Sequence, residues 1–89
     1  MSRRASGLIF NLLGNPTRRV IFERLGRHGH MSAGELARGL PVTRTNVVQH
    51  LKALERAGLV DAISEGRRRL YRVDRNGLVP LKLWLARLS

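Results

Sequence analysis

The chain has 89 residues, 43% of them hydrophobic and none of them cysteine, and its 17 basic and six acidic side chains give a formal net charge of +11. This length suits one small domain over 1–89, and the lack of cysteine excludes disulfides and thiolate metal sites. No apolar run approaches the ~18 residues of a membrane span and no export leader is recognisable, which predicts a cytoplasmic protein without membrane attachment.

The first two predicted elements are helices. Residues 6–13 form a short and almost wholly apolar stretch, which predicts a helix that is covered on most of its sides. An Asn-Pro pair at 15–16 is typical of an N-cap followed by the first helical turn. A second helix is therefore predicted over 16–27, with Ile21 and Leu25 facing inward.

The next two predicted elements are helices separated by a short turn. Ser32 and Glu35 have the S-x-x-E spacing of a capping box, which predicts a third helix over 32–38. Glycine and proline at 39–41 end it. A fourth helix is predicted over 44–57, with polar residues opposite an apolar stripe. The stripe consists of Val47, Leu51 and Leu54.

Two strand-like runs and a last helix complete the chain. The strands form a predicted hairpin over 59–73, joined by a tight turn at 65–68, and the run of three arginines at 67–69 is placed at this turn. The last helix, predicted over 78–88, is apolar around almost its whole circumference. Because the first and last helices would leave a large apolar patch on a monomer, we expect them to form a symmetric homodimer interface. The residues assigned to this interface are Leu8, Ile9, Leu12, Leu81, Trp84, Leu85 and Leu88.

The order of these elements predicts a mainly α winged helix-turn-helix of about five helices plus a two-stranded wing. In that arrangement the second helix of the pair lies in the major groove of DNA, with its N-terminal residues at base edges. The large positive charge favours double-stranded DNA as the partner. Gln49 suits a bidentate pair with adenine, whereas Lys52 and Arg56 suit phosphates. The residues expected to contact DNA are Arg44, Thr45, Asn46, Val48, Gln49, Lys52, Arg56, Arg67, Arg68 and Arg69.

Three segments resemble the ArsR family of bacterial winged-helix repressors: LGNPTRRVIFERL, MSAGELARGLPVTRTNVVQHLKALERAGLV and EGRRRLYRVD. The resemblance covers residues 8–85. It implies that 32–40 and 43–57 are the DNA-reading unit, that 59–73 is the wing, and that the first and last helices form a two-fold dimer interface. Where many members of the family have a small serine before a His-Leu pair, this chain has Val48.

The resemblance is strongest to a branch of the family without metal ligands, which includes autorepressors encoded beside partner genes. PTRRVIF and the late Trp84 carry that similarity. Metal-sensing members have a cysteine motif where this chain has GELAR at 34–38, or Asp and His ligands on the last helix, where it has none. No metal or other cofactor is therefore expected. His28 and His30 alone supply too few ligands for a closed site.

We find no catalytic constellation, because the six acidic residues are scattered and no nucleophile is paired with a base, so the chain is not expected to be an enzyme. His50 flanks the apolar stripe and is interpreted as a packing or phosphate-adjacent residue. The leading hypothesis is a homodimeric transcriptional repressor that occupies its operator and blocks polymerase. The alternatives are a winged-helix protein–protein interaction module and an effector-sensing regulator of the same family.

Overall fold

The structure, a computed structural model, describes the backbone of residues 3–88 and the side chains of residues 6–88. This part of the chain contains five α-helices and one two-stranded antiparallel sheet, which confirms the predicted mainly α class with a hairpin. The elements are α1 (Arg3–Leu13), α2 (Pro16–His28), α3 (Ala33–Ala37), α4 (Arg44–Arg56), β1 (Val60–Glu65), β2 (Arg68–Val73) and α5 (Val79–Ala86).

The first and last helices differ from their predicted bounds. α1 begins at Arg3 rather than at residue 6, because arginine and alanine favour helix and extend it toward the N-terminus. α5 ends at Ala86 rather than at residue 88. It is preceded by a 3₁₀ turn at Arg75–Leu78, which begins where the Asp74 carboxylate accepts the N–H of Asn76 at 3.1 Å. The predicted helix over 78–88 is therefore shorter at its C-terminal end, and a separate 3₁₀ turn precedes it.

Side-chain caps begin three of the helices. Asn15 and Thr43 cap α2 and α4 in the same way, each accepting the backbone N–H three residues further on at 3.0 Å. At α3 the predicted capping box is confirmed: the Ser32 N–H donates to Glu35 Oε1 at 2.9 Å, and the Glu35 N–H donates to Ser32 Oγ at 3.2 Å. These bonds satisfy N–H groups that have no partner within the helix.

The hydrophobic core lies where α2, α3 and α4 meet the start of the hairpin. The inward-facing positions predicted for α2 and α4 are confirmed, because each of them is fully buried. From α3, Leu36 is equally buried and Ala33 nearly so. The fully buried residues of these helices are Ile21, Leu25, Leu36, Val47, Leu51 and Leu54.

The end of α4 aims the chain from the helix into the hairpin. Gly58 adopts a φ of 77°, and its N–H donates to the Glu55 carbonyl at 3.0 Å. The N–H of Leu59 donates back to the Leu54 carbonyl at 3.0 Å, which completes a Schellman motif. Since Leu54 and Leu59 are both fully buried, this turn anchors the start of β1 in the core.

The hairpin turn lies at the predicted residues 65–68. Glu65 pairs with Arg68 as the last residues of the two strands, so the two central residues of the turn are Gly66 and Arg67. Gly66 has a φ of 63°, as expected for the first central residue of a two-residue turn. The prediction that all three arginines lie in the turn is wrong for Arg69, which lies within β2, whereas Arg68 is both the last residue of the turn and the first of that strand.

The hairpin is tied to the helical body by a bridge that was not predicted. The N–H of Met31 donates to the Tyr71 carbonyl at 3.0 Å, and the N–H of Tyr71 donates to the Met31 carbonyl at 2.8 Å. A cross-strand ion pair, Arg72 Nε to Asp61 Oδ1 at 2.7 Å, lies next to this bridge. The Met31–Tyr71 bridge thus holds the hairpin to the helical body and the ion pair joins its two strands, whereas the residues at its tip are exposed.

α1 and α5 pack against each other, with the rings of Phe10 and Trp84 edge to face at a centroid distance of 4.8 Å. Among the predicted interface residues, Ile9 is only 4% exposed and its side chain packs in the core of its own chain, and its place at a dimer interface stays a prediction. Leu12 and Leu81 are half-buried against that core. The predicted interface residues that are exposed are Leu8, Leu85 and Leu88. No helix within residues 3–88 is long and apolar enough to cross a membrane.

Candidate nucleic-acid interface

α4 presents a polar and basic face to solvent. Because successive residues turn by 100° around a helix, the buried stripe leaves the opposite side exposed. The predicted DNA-contacting residues of α4 that lie on this exposed side are Arg44, Thr45, Asn46, Gln49, Lys52 and Arg56. Val48 differs from them, since it is half-buried and packs against the core, so only part of its side chain faces outward.

An open groove of about 590 Å³ separates α4 from the hairpin and the start of α3. It brings together six of the ten residues predicted to contact DNA, some from α4 and the others from the hairpin. These six are Arg44, Val48, Lys52, Arg67, Arg68 and Arg69. The other four, Thr45, Asn46, Gln49 and Arg56, lie on α4 outside the groove.

Two carboxylates from the helices contact arginines of the hairpin. Arg68 Nη2 lies 2.8 Å from Glu35 Oε1 at the start of α3, and Arg69 Nη2 lies 3.3 Å from Glu55 Oε2 on α4. Sequence reasoning treated the acidic residues as scattered and missed both pairs. No local signal reveals them, because their partners are 33 and 14 residues apart and meet only when the hairpin folds back over the helices.

Arg69 is held more firmly than its neighbours in the hairpin. Its Nε donates to the Tyr71 hydroxyl at 3.2 Å, and its guanidinium carbon lies 5.6 Å from the centre of the Tyr71 ring. With Glu55 on its other side, this side chain has three contacts. Within the described residues, Arg67 at the tip has no carboxylate within ion-pair distance.

The Glu35 carboxylate is shared between the capping box and the ion pair. Hydrogen bonds from Ser32, and then the charge of Arg68, lower the pKa of Glu35. The group therefore carries a full negative charge at neutral pH, beside the basic groove.

His50 on α4 is a hydrogen-bond acceptor in the structure. Arg18 Nε on α2 donates to His50 Nδ1 at 3.3 Å, and the same guanidinium reaches the Leu12 carbonyl at the end of α1 at 3.4 Å. Burial, and then the nearby charge of Arg18, lower the pKa of His50. The neutral imidazole thus helps to join three helices, which agrees with the packing interpretation.

Within residues 3–88 there is no group of three or more His, Cys, Asp or Glu side chains close enough to hold a metal ion. His28 is the last residue of α2 rather than part of a loop, and His30 follows it; both are exposed.

Comparisons with known proteins agree with this architecture. A family model described as a helix-turn-helix domain matches residues 13–62, from the end of α1 into β1. The HTH-type transcriptional regulator Rv2034 of Mycobacterium tuberculosis is 51% identical over 75 residues, which cover 84% of this chain and 69% of that protein. The uncharacterized HTH-type transcriptional regulator YuzN of Bacillus subtilis is 36% identical over 80 residues, which cover 83% of this chain and 84% of that protein.

The fold is also similar to solved structures of such regulators. An ArsR-like transcriptional regulator from Rhodococcus sp. RHA1 superposes with a TM-score of 0.81 and 35% sequence identity, over 96% of this chain and 79% of that chain. The same assignment follows from the helix pair α3 and α4 with the hairpin beside it, and from the relatives in sequence and structure. This chain belongs to the ArsR family of winged helix-turn-helix transcriptional regulators and acts as a DNA-binding regulator of transcription.

Proposed function

We propose that the chain is a homodimeric repressor, acting in the cytoplasm, that occupies its operator and blocks polymerase. The observation that carries this proposal is the exposed polar face of α4 beside a groove lined by five basic side chains. The core of an interface in an interaction module is depleted of charged residues, whereas α4 exposes Arg44, Lys52 and Arg56 on its recognition face.

Base reading belongs to the first half of α4 in this proposal. Arg44, Thr45, Asn46 and Gln49 are exposed there, and the N-terminal part of a recognition helix is the part that approaches base edges. We assign phosphate contacts to Lys52, Arg56 and the hairpin arginines. Lys52 and the hairpin arginines line the groove, and Arg56 lies at the C-terminal end of α4, away from the part that approaches base edges. Val48 contributes at most a small apolar contact.

A dimer is supported by apolar surface on α1 and α5. Leu8, Phe10, Leu83 and Leu88 are all exposed on these helices. Large contiguous apolar surfaces mark interaction sites, and a two-fold dimer would also place two copies of α4 on successive turns of the duplex. We further propose that the regulator belongs to the branch without metal ligands, so zinc, cadmium, nickel or arsenite should not release it from DNA.

The test is selection of bound sequences from a random duplex library by the purified chain, followed by transcription in vitro from a promoter that overlaps the selected sequence. A homodimeric repressor should enrich a palindrome whose half-sites lie about 10 base pairs apart or a multiple of that, and it should reduce the transcript. A fragment from upstream of the chain's own gene serves as the second probe in a gel shift.

Each part of the proposal fails on a different result. Selection that enriches no sequence removes the base-reading role of α4. A single half-site without two-fold symmetry removes the dimer. An increase in transcript identifies an activator, and release of DNA by a stoichiometric metal ion places the protein in another branch of the family.

A further inference from the structure

The basic groove contains side chains of two kinds, those with a carboxylate partner and those without one. Arg68 pairs with Glu35 at 2.8 Å and Arg69 pairs with Glu55 at 3.3 Å. Among residues 3–88, the lining basic side chains that have no carboxylate within ion-pair distance are Arg44, Lys52 and Arg67. Part of the positive charge of the groove is therefore neutralised by the chain itself.

Arg68 depends on its carboxylate more than Arg69 does. Arg69 also donates to the Tyr71 hydroxyl and lies over the Tyr71 ring, so loss of Glu55 would leave it held in place. For the Arg68 side chain, Glu35 is the sole partner in the described part of the chain. Glu35 alone thus decides whether the guanidinium of Arg68 is free to contact another anion.

The capping box fixes the Glu35 carboxylate in position. The same oxygen, Oε1, accepts the Ser32 N–H at 2.9 Å and the guanidinium of Arg68 at 2.8 Å. A carboxylate held this way cannot swing aside when DNA approaches without giving up the cap of α3. It is a built-in negative charge at the edge of the surface that meets phosphates.

We propose that Glu35 limits the affinity of the groove for the DNA backbone by occupying Arg68, and so restrains binding to DNA outside the operator. The inference rests on the proposed function, in which the hairpin arginines meet phosphates. The ion pair of Glu35 with Arg68 has two opposing effects on DNA binding. It occupies the guanidinium, which weakens binding, and it holds the Arg68 side chain in position, which favours binding. An exposed ion pair contributes little free energy, so the positioning effect is small. One added phosphate contact steepens the fall of log affinity with log salt by about 0.9, so its contribution to affinity is about eightfold larger at 0.1 M salt than at 1 M. Loss of the carboxylate therefore strengthens binding.

The variant Glu35→Gln tests this inference, because glutamine also completes a capping box and so preserves α3. Binding is measured by fluorescence anisotropy on a duplex of random sequence between about 50 and 200 mM salt. At about 0.1 M salt we expect affinity to rise three- to eightfold, with a salt slope steeper by up to about 0.9 for each bound protomer. Thermal unfolding checks that the variant remains folded.

Two further variants separate a local effect from a general one. Glu23→Gln makes the same change in net charge on α2, where Glu23 is exposed and does not line the groove, and it should change affinity much less. The double variant Glu35→Gln with Arg68→Ala lacks the arginine that Glu35→Gln alone would free from its ion pair. The gain in affinity and in salt slope seen with Glu35→Gln should therefore be lost.

The outcomes distinguish this inference from the proposed function. If Glu35→Gln binds no more tightly than Glu23→Gln, or if the double variant keeps the gain, the role of Glu35 is overturned while the wild type still binds its selected operator. If the wild-type chain binds neither the random duplex nor any selected sequence, the proposed function fails, and this inference fails with it.

Discussion

Gly77 is a single residue at which two distant parts of the chain cross. It lies in the 3₁₀ turn before α5, and a Cβ atom there would overlap the carbonyl group of Gly58 and lie 3.2 Å from the Cα of Leu59. The crossing is held by the Asp74 N–H, which donates to the Leu59 carbonyl at 2.9 Å. Glycine is required here because backbone, rather than a flexible side chain, occupies the space.

Gly77→Ala is expected to destabilise the chain by at least about 2 kcal/mol, because the end of α4 and the start of α5 must move apart. Urea unfolding followed by circular dichroism measures the change. The matched control is Gly26→Ala within α2, where a Cβ would have its nearest neighbour at 3.8 Å. There the better helix propensity of alanine should stabilise the fold by about 0.5–1 kcal/mol. Equal effects of the two substitutions would contradict the crossing.

His50 makes stability depend on pH. Its pKa is lowered in the folded chain, so below the ordinary histidine value of about 6.5 the unfolded state takes up a proton first. The free energy of unfolding should therefore be full above about pH 6.5 and fall as the pH drops toward the folded pKa. The lowered pKa values of Glu35 and Asp61 act only in a more acidic range, below the ordinary values of 4.5 and 3.8 for these carboxyls.

His50→Asn isolates this contribution, since the amide oxygen can still accept from Arg18 but does not titrate in this range. Urea midpoints measured between about pH 7.5 and 5.5 should fall less for this variant than for the wild type. His28→Asn, at the exposed end of α2, serves as the control. A wild-type midpoint that stays constant over this range would remove the linkage.

At the scale of the element, the candidate nucleic-acid interface has two parts: α4, which is rigid, and the hairpin, whose tip is exposed. α4 is held by its buried stripe, by the Thr43 cap and by the Schellman turn at Gly58, so the exposed side chains start from a fixed backbone. The hairpin is anchored to the helical body through Met31 and Tyr71, and the residues at its tip are exposed. A rigid helix suits base reading, and an exposed tip suits the backbone of DNA.

Gln49→Ala should weaken operator binding by about 1–3 kcal/mol for each half-site and leave binding to random duplex almost unchanged. Gln49 is exposed one turn into α4, where a side chain reaches base edges, and its loss should relax specificity at one base pair. Affinities for the selected operator and for single-base variants of it provide the measurement. An equal loss on both kinds of DNA would mean that Gln49 does not read a base.

Arg67→Ala should weaken binding to operator and random duplex alike and reduce the salt slope by about 0.9 per protomer. The reason is that Arg67 lies in the two-residue turn, with no carboxylate partner in the described part of the chain. Arg27→Ala on α2 removes the same charge outside the groove and is the control. An unchanged salt slope would exclude a phosphate contact at the tip.

At the scale of the whole molecule, the chain leaves apolar surface uncovered where α1 packs on α5. Leu88 is 68% exposed and Leu8 is 51% exposed, although Phe10 and Trp84 contact each other between the two helices. A domain of this size buries a smaller share of its surface than larger domains do, so its stability is marginal on its own. A two-fold partner would cover this surface and add to the core.

Leu8→Glu should convert the proposed dimer into monomers. Two-fold symmetry would bury two carboxylates, one from each protomer, among apolar neighbours, and burial of unpaired charge is costly. Sedimentation velocity and light scattering at micromolar concentration measure the mass. Val20→Glu places the same charge at an exposed apolar position on α2 and should leave the mass unchanged. A wild-type chain that is monomeric at these concentrations would overturn the dimer.

The elements of the fold could be predicted because their signals are local. The Asn15 cap, the Ser32 and Glu35 capping box and the apolar stripe of α4 all join residues a few positions apart. Such patterns depend on helix geometry alone, so they are readable before any packing is known. The same applies to the exposed face of α4, which follows from the position of its stripe.

What the sequence alone determined is therefore the kind and order of the elements, the family and the helix that faces solvent. Only the tertiary structure decided the partners across the chain: His50 with Arg18, Glu35 with Arg68, and Ile9 with the core. The first two contacts join residues 32 and 33 positions apart. Periodicity assigns a residue to a face of its own element, but which other element covers that face is set by how the helices and the hairpin pack in three dimensions.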